Sequence, residues 1–239
     1  TLINNAAQEP EIVDLCNCLT SMGAKISGAG TSNIIIEGIN GFLSCSHEVI
    51  SDRIEACTFI IAAAITNSSL CIKKINLEHI KIFLDIIEKM GLIFKASRNN
   101  ILVEKSDKLF PVTIKTAEYP GFPTDLQAQL MTLACIASGV SKIEENIFEN
   151  RFMHVPELNR LGADINIKGN SAIIKGNCNF IGAEVMATDL RASASLILAA
   201  LAAKGKTKIN RIYHLDRGYE NIDLKLSNCG AEIIRGNSG

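Results

Sequence analysis

Asp125-Leu126-Gln127-Ala128-Gln129-Leu130-Met131-Thr132-Leu133-Ala134-Cys135-Ile136-Ala137 opens on a carboxylate and continues as a helical run without a polar face. A helix that is apolar all round is a buried helix. Two other stretches have the same form. Asp52-Arg53-Ile54-Glu55-Ala56 leads into the apolar run 57–65, and Asp189-Leu190-Arg191-Ala192 leads into 193–203. The three aspartates are 73 and 64 residues apart (125−52 and 189−125). Each run is about 12 residues, short of the ~20 that a bilayer requires, so these are core helices and not membrane spans. Aspartate is a good N-cap, because its carboxylate accepts the free N–H groups of a first helical turn. All three helices are expected to start that way.

A second signal recurs between them. Met22-Gly23-Ala24, Met90-Gly91-Leu92, Leu161-Gly162-Ala163 and Cys229-Gly230-Ala231 each read as the end of an amphipathic helix, and Ile26, Ile93, Ile165 and Ile233 each read as the start of a strand. The glycines are 68, 71 and 68 residues apart (91−23, 162−91 and 230−162). Repetition at a near-constant period defines an architecture of like units. Each unit reads as buried helix, strand, amphipathic helix, glycine turn, strand, turn and strand. The strands after the buried helices are 71–73, 142–144 and 207–209. The closing strands are 34–37, 101–104 and 172–175, each preceded by an asparagine-bearing turn. The fold class is therefore α/β, with helices buried inside and sheets outside.

Composition bounds the function. The 239 residues are 47% hydrophobic and 5% aromatic, with a formal net charge of −1. That charge, with no lysine or arginine run, argues against nucleic acid as a partner. The first residues, Thr1-Leu2-Ile3-Asn4-Asn5, carry no signal-peptide pattern, and the missing initiator Met suggests processing, truncation or a fragment. The eight cysteines read as reduced core residues of a cytoplasmic protein, since most fall in helix or strand patterns. Cys16-Asn17-Cys18 lacks a zinc-site spacing, so no metal or cofactor is expected.

Three parallel repeats bring three helix N-termini, each roughly half a positive charge, to one rim. Arg53 and Arg191 lie in two of those first turns, and Arg151 and Arg217 lie in loops after strands. Such a rim suits a phosphate or carboxylate, and Asp125 and Asp189 are placed there to hold or move a proton. The alternative is that each Asp is only a cap and each Arg only a surface residue. Pro120-Gly121-Phe122-Pro123-Thr124 favours the first reading at Asp125, because an irregular loop positions a side chain better than it starts a helix. His154 and His214 follow parallel Asn-Arg pairs and read as structural before functional. Gly28-Ala29-Gly30 leads into no helix and is not a dinucleotide loop.

Five segments, in order, carry a resemblance: 9–15, 122–129, 148–154, 186–193 and 216–220. Through them the chain resembles the UDP-N-acetylglucosamine 1-carboxyvinyltransferase family, the enolpyruvyl transferases of peptidoglycan synthesis. The resemblance implies an inside-out α/β barrel of repeated units, with residues 1–49 the last unit of a first domain and 50–239 a second domain of three units. It implies transfer of the enolpyruvyl group of phosphoenolpyruvate to the 3-hydroxyl of UDP-N-acetylglucosamine, by addition and then elimination, with release of phosphate. By position, Asp125 is implied to contact the 3-hydroxyl and act as its base. Ile147 is implied to meet the nucleotide sugar through its backbone, and Arg217 to meet the phosphate. Asp189, Arg191 and Arg151 are implied as cleft residues supporting proton transfer and electrostatics, with Arg53, Glu9 and Glu11 as further substrate-binding candidates. Tyr119 stands where the family has a histidine. The family's N-terminal lysine–asparagine pair and its loop with the fosfomycin-reactive cysteine have no counterpart here, so no cysteine of this chain inherits that role. The chain is expected to form one wall of a cleft whose other wall is a missing N-terminal domain, and to be inactive alone. The alternative is a stand-alone, non-catalytic half acting as a binding or vestigial protein. Its first 49 residues are expected to expose Ile12, Leu15, Leu19 and Ile34.

Overall fold

The computed structural model describes residues 1–236. The first unit holds β1 (Leu2–Asn4), α1 (Pro10–Ser21), β2 (Lys25–Ser27) and β3 (Asn33–Glu37), and residues 38–52 follow without helix or strand. The second holds α2 (Arg53–Ile65), β4 (Leu70–Lys73), α3 (Lys81–Lys89), β5 (Phe94–Ser97) and β6 (Asn100–Val103). The third holds β7 (Thr113–Lys115), α4 (Gln127–Ile136), β8 (Val140–Glu144), α5 (Val155–Arg160), β9 (Asp164–Lys168) and β10 (Ser171–Lys175). The fourth holds β11 (Glu184–Met186), α6 (Leu190–Ala202), β12 (Lys208–Asn210) and α7 (Ile222–Asn228).

The apolar helices α2, α4 and α6 pack on one another at the centre. Ile60 and Ile61 of α2, Leu130 and Met131 of α4, and Leu196 and Leu198 of α6 have at most 1% of their surface exposed. The sheets lie outside them, each with antiparallel or parallel ladders of its own. Their orders are β1-β3-β2, β4-β6-β5, β7-β8-β10-β9 and β11-β12. The hydrogen bonding does not run continuously from one sheet to the next, so among the described residues the strands form four separate sheets and not a closed barrel. Among the described residues no helix is long and apolar enough to cross a membrane.

The glycine turns act as expected. Gly91 has φ 87° and Gly162 φ 102°, a conformation that reverses the chain after a helix and penalises any Cβ. Four expectations need correcting. Ile233 starts no strand: residues 231–236 have no flanking strand to pair with. Ile34 is buried at 4%, because β3 is the central strand of its sheet, while Leu15 is exposed. The three-residue strands β1, β7 and β11 are additions. β7 and β11 run parallel to β8 and β12, the strands that follow the next buried helix, so each makes a short crossover. The cysteines are not mainly core residues. Cys16, Cys57 and Cys135 are buried, but Cys45, Cys71 and Cys229 are exposed on the outer strand faces and loops.

Candidate functional site

Asp52 and Asp189 cap α2 and α6 as expected. Asp52 accepts from the backbone N–H groups of Ile54 (2.8 Å) and Glu55 (2.9 Å), and Asp189 from those of Arg191 (2.8 Å) and Ala192 (2.9 Å). Asp125 does not cap α4, which corrects that expectation. It sits inside a 3-10 turn, Thr124–Leu126, which runs into the helix, and no side chain caps either. Placed within the turn and not before it, its carboxylate is free to point sideways. There Arg151 Nη2 donates to Oδ1 at 3.1 Å and Arg191 Nη2 lies 3.3 Å from Oδ2. The two arginine side chains are 19% and 15% exposed, whereas that of Asp125 is 42% exposed. Two partly buried cations thus hold a carboxylate that still faces solvent. Charge-assisted contacts from two sides fix its orientation.

The arginines are held in turn. Arg151 lies with its guanidinium 5.2 Å from the Phe148 ring centre. Arg191 lies 5.8 Å from the ring of Tyr219, and its Nη1 donates to the Tyr219 hydroxyl at 3.4 Å. The Asp125 carboxylate beside Arg191 holds that guanidinium firmly protonated against the cost of its burial. Tyr219 is 1% exposed and burial pushes its phenol up, so it stays neutral.

A second rim pair joins the N-terminal unit to α2. Arg53 Nε donates to Glu11 Oε1 at 2.8 Å, Nη2 donates to Oε2 at 3.3 Å, and the guanidinium lies 5.6 Å from the Tyr119 ring. Arg53 at the start of α2 therefore meets the loop before α4, and Asp125 at the start of α4 meets the start of α6. The three N-termini share one end. Glu9 precedes α1 without capping it, and its Oε2 is buried without a partner among the described residues. Glu145, 4% exposed, accepts from Thr116 Oγ1, Thr124 Oγ1 and the N–H groups of Ile147 and Phe148. It ties the Asp125 turn to the Ile147 loop, and it was not legible in the sequence. Since the Ile147 N–H is already engaged, only its carbonyl is left for a ligand. Arg217, itself exposed, ends a 3-10 turn, Ile212–Arg217, and makes no ion pair among the described residues, whereas Asp216 is taken by Arg235.

His154 is structural in position: it is 1% exposed, with its Nε2 buried and without a partner among the described residues. Burial pulls it down to about 4, against the opposing field of Asp189. It is neutral behind the rim, between the Arg151 turn and the α6 cap. His214 stacks against Tyr213 with ring centres 4.2 Å apart. No group of three or more His, Cys, Asp or Glu suited to a metal ion occurs among the described residues.

Inner parallel helices, outer sheets and a rim of arginines around an oriented carboxylate define the enolpyruvyl transferase fold. The sequence matches the family described as EPSP synthase (3-phosphoshikimate 1-carboxyvinyltransferase) over residues 1–226, and the chain belongs to that family. It is 55% identical over 233 residues to the UDP-N-acetylglucosamine 1-carboxyvinyltransferase of Endomicrobium trichonymphae, which covers 98% of this chain and 56% of that protein. It is 53% identical over 237 residues to the protein of that name from Sulfurovum sp., with the same two coverages. The chain thus spans about half the length of the curated relatives it matches. Among solved structures it is similar to the enolpyruvyl transferase NikO from Streptomyces tendae, with TM-score 0.89, 29% identity, and 97% of this chain matching 56% of that one. EPSP synthase from Acinetobacter baumannii shares the fold at TM-score 0.70 and 20% identity, over 91% of this chain and 54% of that one.

Proposed function

We propose that this chain forms one wall of the active site of an enzyme that transfers the enolpyruvyl group of phosphoenolpyruvate to the 3-hydroxyl of UDP-N-acetylglucosamine, releasing phosphate. This is the first committed step of peptidoglycan synthesis and a cytoplasmic one. The observation that carries the reading is the Asp125 carboxylate, held between Arg151 and Arg191 with one face open. Residues 1–49 would be the last unit of a first domain and 50–239 a second domain, the opposite wall coming from an N-terminal domain of the same enzyme.

In this reading Asp125 accepts the proton of the sugar 3-hydroxyl as its oxygen bonds to C2 of phosphoenolpyruvate, whose methylene carbon takes a proton. The tetrahedral adduct then loses a proton from that methyl carbon and expels phosphate. Arg151 and Arg191 keep the carboxylate aimed, a contribution of placement to the barrier. Arg217, exposed and unpaired among the described residues, is free to bind the phosphate. Asp189 is spent on the α6 cap through Oδ1, so its second oxygen is the one left to support proton transfer. Arg53 and Glu11 neutralise each other and would shape the nucleotide-sugar side of the cleft, with Glu9 beside them and the Ile147 carbonyl opposite.

The test uses the full-length enzyme with both substrates, following phosphate release and the mass of the enolpyruvyl product. Asp125→Asn keeps the shape of the side chain and removes the base, and turnover falls by ~100-fold or more. Unchanged turnover in that variant would remove Asp125 from the mechanism. The 239-residue chain alone gives no product. The alternative of a non-catalytic half gains nothing from the site, since an inert remnant has no need of a carboxylate gripped by two partly buried arginines.

A further inference from the structure

The Tyr219 hydroxyl touches all three inner helices. It is 2.9 Å from Thr58 Oγ1 on α2, 3.3 Å from Gln129 Nε2 on α4 and 3.4 Å from Arg191 Nη1 on α6. Its proton and lone pairs are fully assigned by chemistry. Thr58 Oγ1 already donates to the Ile54 carbonyl at 2.8 Å, so it accepts from the phenol. Gln129 and Arg191 can only donate to it, filling the two lone pairs of the phenol oxygen. A directed chain results, from Arg191 through Tyr219 and Thr58 to the Ile54 carbonyl. The burial that keeps the phenol protonated keeps that direction. At its other end, Arg191 turns Nη2 to Asp125.

Tyr219 also belongs to the loop of Arg217. Gly218, between them, packs so tightly on Leu190 that an added Cβ would lie 2.8 Å from its Cδ2. The loop therefore sits directly on the first turn of α6, the turn that bears Arg191.

We propose that Tyr219 is a positioning residue that fixes the plane of the Arg191 guanidinium and locks the Arg217 loop to the Asp125 fork, so that the two move as one body. This rests on the function proposed above. Tyr219 reaches no substrate and acts only through Arg191 and the backbone of its own loop.

The experiment compares Tyr219→Phe with Thr58→Val in the full-length enzyme. The first keeps the ring under Arg191 but removes the hydroxyl. The second removes one partner of the hydroxyl and leaves the Arg191 bond in place. Tyr219→Phe removes the contacts of the hydroxyl to Thr58, Gln129 and Arg191, and Thr58→Val removes those of Thr58 Oγ1 to the Ile54 carbonyl, Tyr219 and Gln129, so their melting temperatures fall by similar amounts. Tyr219→Phe lowers kcat by about tenfold or more, the scale of a displaced catalytic group, while Thr58→Val stays within about threefold. Equal losses in the two variants, or a wild-type kcat in Tyr219→Phe, overturn the proposal. A second arm needs no substrate: the melting temperatures of Tyr219→Phe, Asp125→Asn and the double variant. Both changes release the same guanidinium, so their effects fall short of adding. Strict additivity overturns the proposal on its own. If the wild-type enzyme makes no enolpyruvyl product from UDP-N-acetylglucosamine, the functional reading fails and this thermal cycle still decides the role of Tyr219.

Discussion

Acid should destabilise this chain through one residue. His154 is 1% exposed and held down to about 4, against about 6.5 for a histidine in an unfolded chain. The cause is burial, and the charges facing the ring are Asp189, which opposes the shift, and Arg151, which reinforces it. Because the folded value is the lower one, the unfolded chain takes up a proton first as pH falls. Stability is complete above about pH 6.5, declines as pH drops toward 4, and stays lowered below that. From pH 7.5 to pH 5 the difference in proton binding is worth ~2 kcal/mol, using 1.36 kcal/mol per pH unit. For a chain of this length that corresponds to a fall of ~4–8 °C in Tm. The assay is a set of thermal and urea melts of the chain and of His154→Gln across that range. The amide does not titrate, so the variant lacks this component whatever its stability at neutral pH. Other ionisable groups contribute equally to both proteins, and the difference between the two pH slopes isolates the imidazole. Identical slopes would refute the reasoning, since a neutral buried His154 must make wild type the more acid-sensitive of the two.

Other perturbations test packing and exposure. Leu130→Ala removes a fully buried side chain at the centre of α4 and should cost ~2–5 kcal/mol in urea unfolding, whereas a cost under ~1 kcal/mol would mean the inner helices are loosely packed. Gly176→Ala places a Cβ 1.8 Å from the Ala137 carbonyl oxygen, a backbone clash with no side chain to yield. A loss of at least ~1–3 kcal/mol is expected, and a neutral outcome would show that the turn after β10 can shift. Brief chymotrypsin treatment should cut first at Phe42 or Leu43, which are 58% and 70% exposed in the stretch 38–52. A first cut within α4 or β10, with Phe42 and Leu43 intact, would contradict this.

Much of this fold is legible in the sequence because the inner helices have no polar face, a signal that needs no neighbour to be interpreted. The glycine turns are legible for a like reason: a positive φ is a local demand. The strands β7 and β11 are not. Each is three residues long, and what makes them strands is a parallel partner across a helix, which periodicity cannot reveal. The site divides along the same line. Arg151 and Arg191 converge on Asp125, whereas Arg53 pairs with Glu11, and these partners follow from tertiary contacts. The Asp125 reading as a cap fails because a 3-10 turn and an α-helical first turn start with the same residue types. Glu145 and Tyr219 carry no local signal, since their importance lies in groups far away in sequence. The exposure expected of Ile34 fails because β3 lies between β1 and β2 of its own unit.

The hub on Tyr219 has a consequence for how the chain assembles. Hairpins such as β5–β6 and β9–β10 join residues close in sequence and lose little chain entropy on closing. The Thr58–Tyr219 contact spans 161 residues and the Glu55–Lys225 ion pair spans 170. Closing loops of that length costs about 4.5 kcal/mol in the length-dependent term alone, before any of the hub's bonds can offset it. The hairpins can therefore form early, while the ring of inner helices shuts only when its first and last members meet. The hydroxyl that aims Arg191 is among the last groups to find its partners, so the rim acquires its geometry in the closing step of folding.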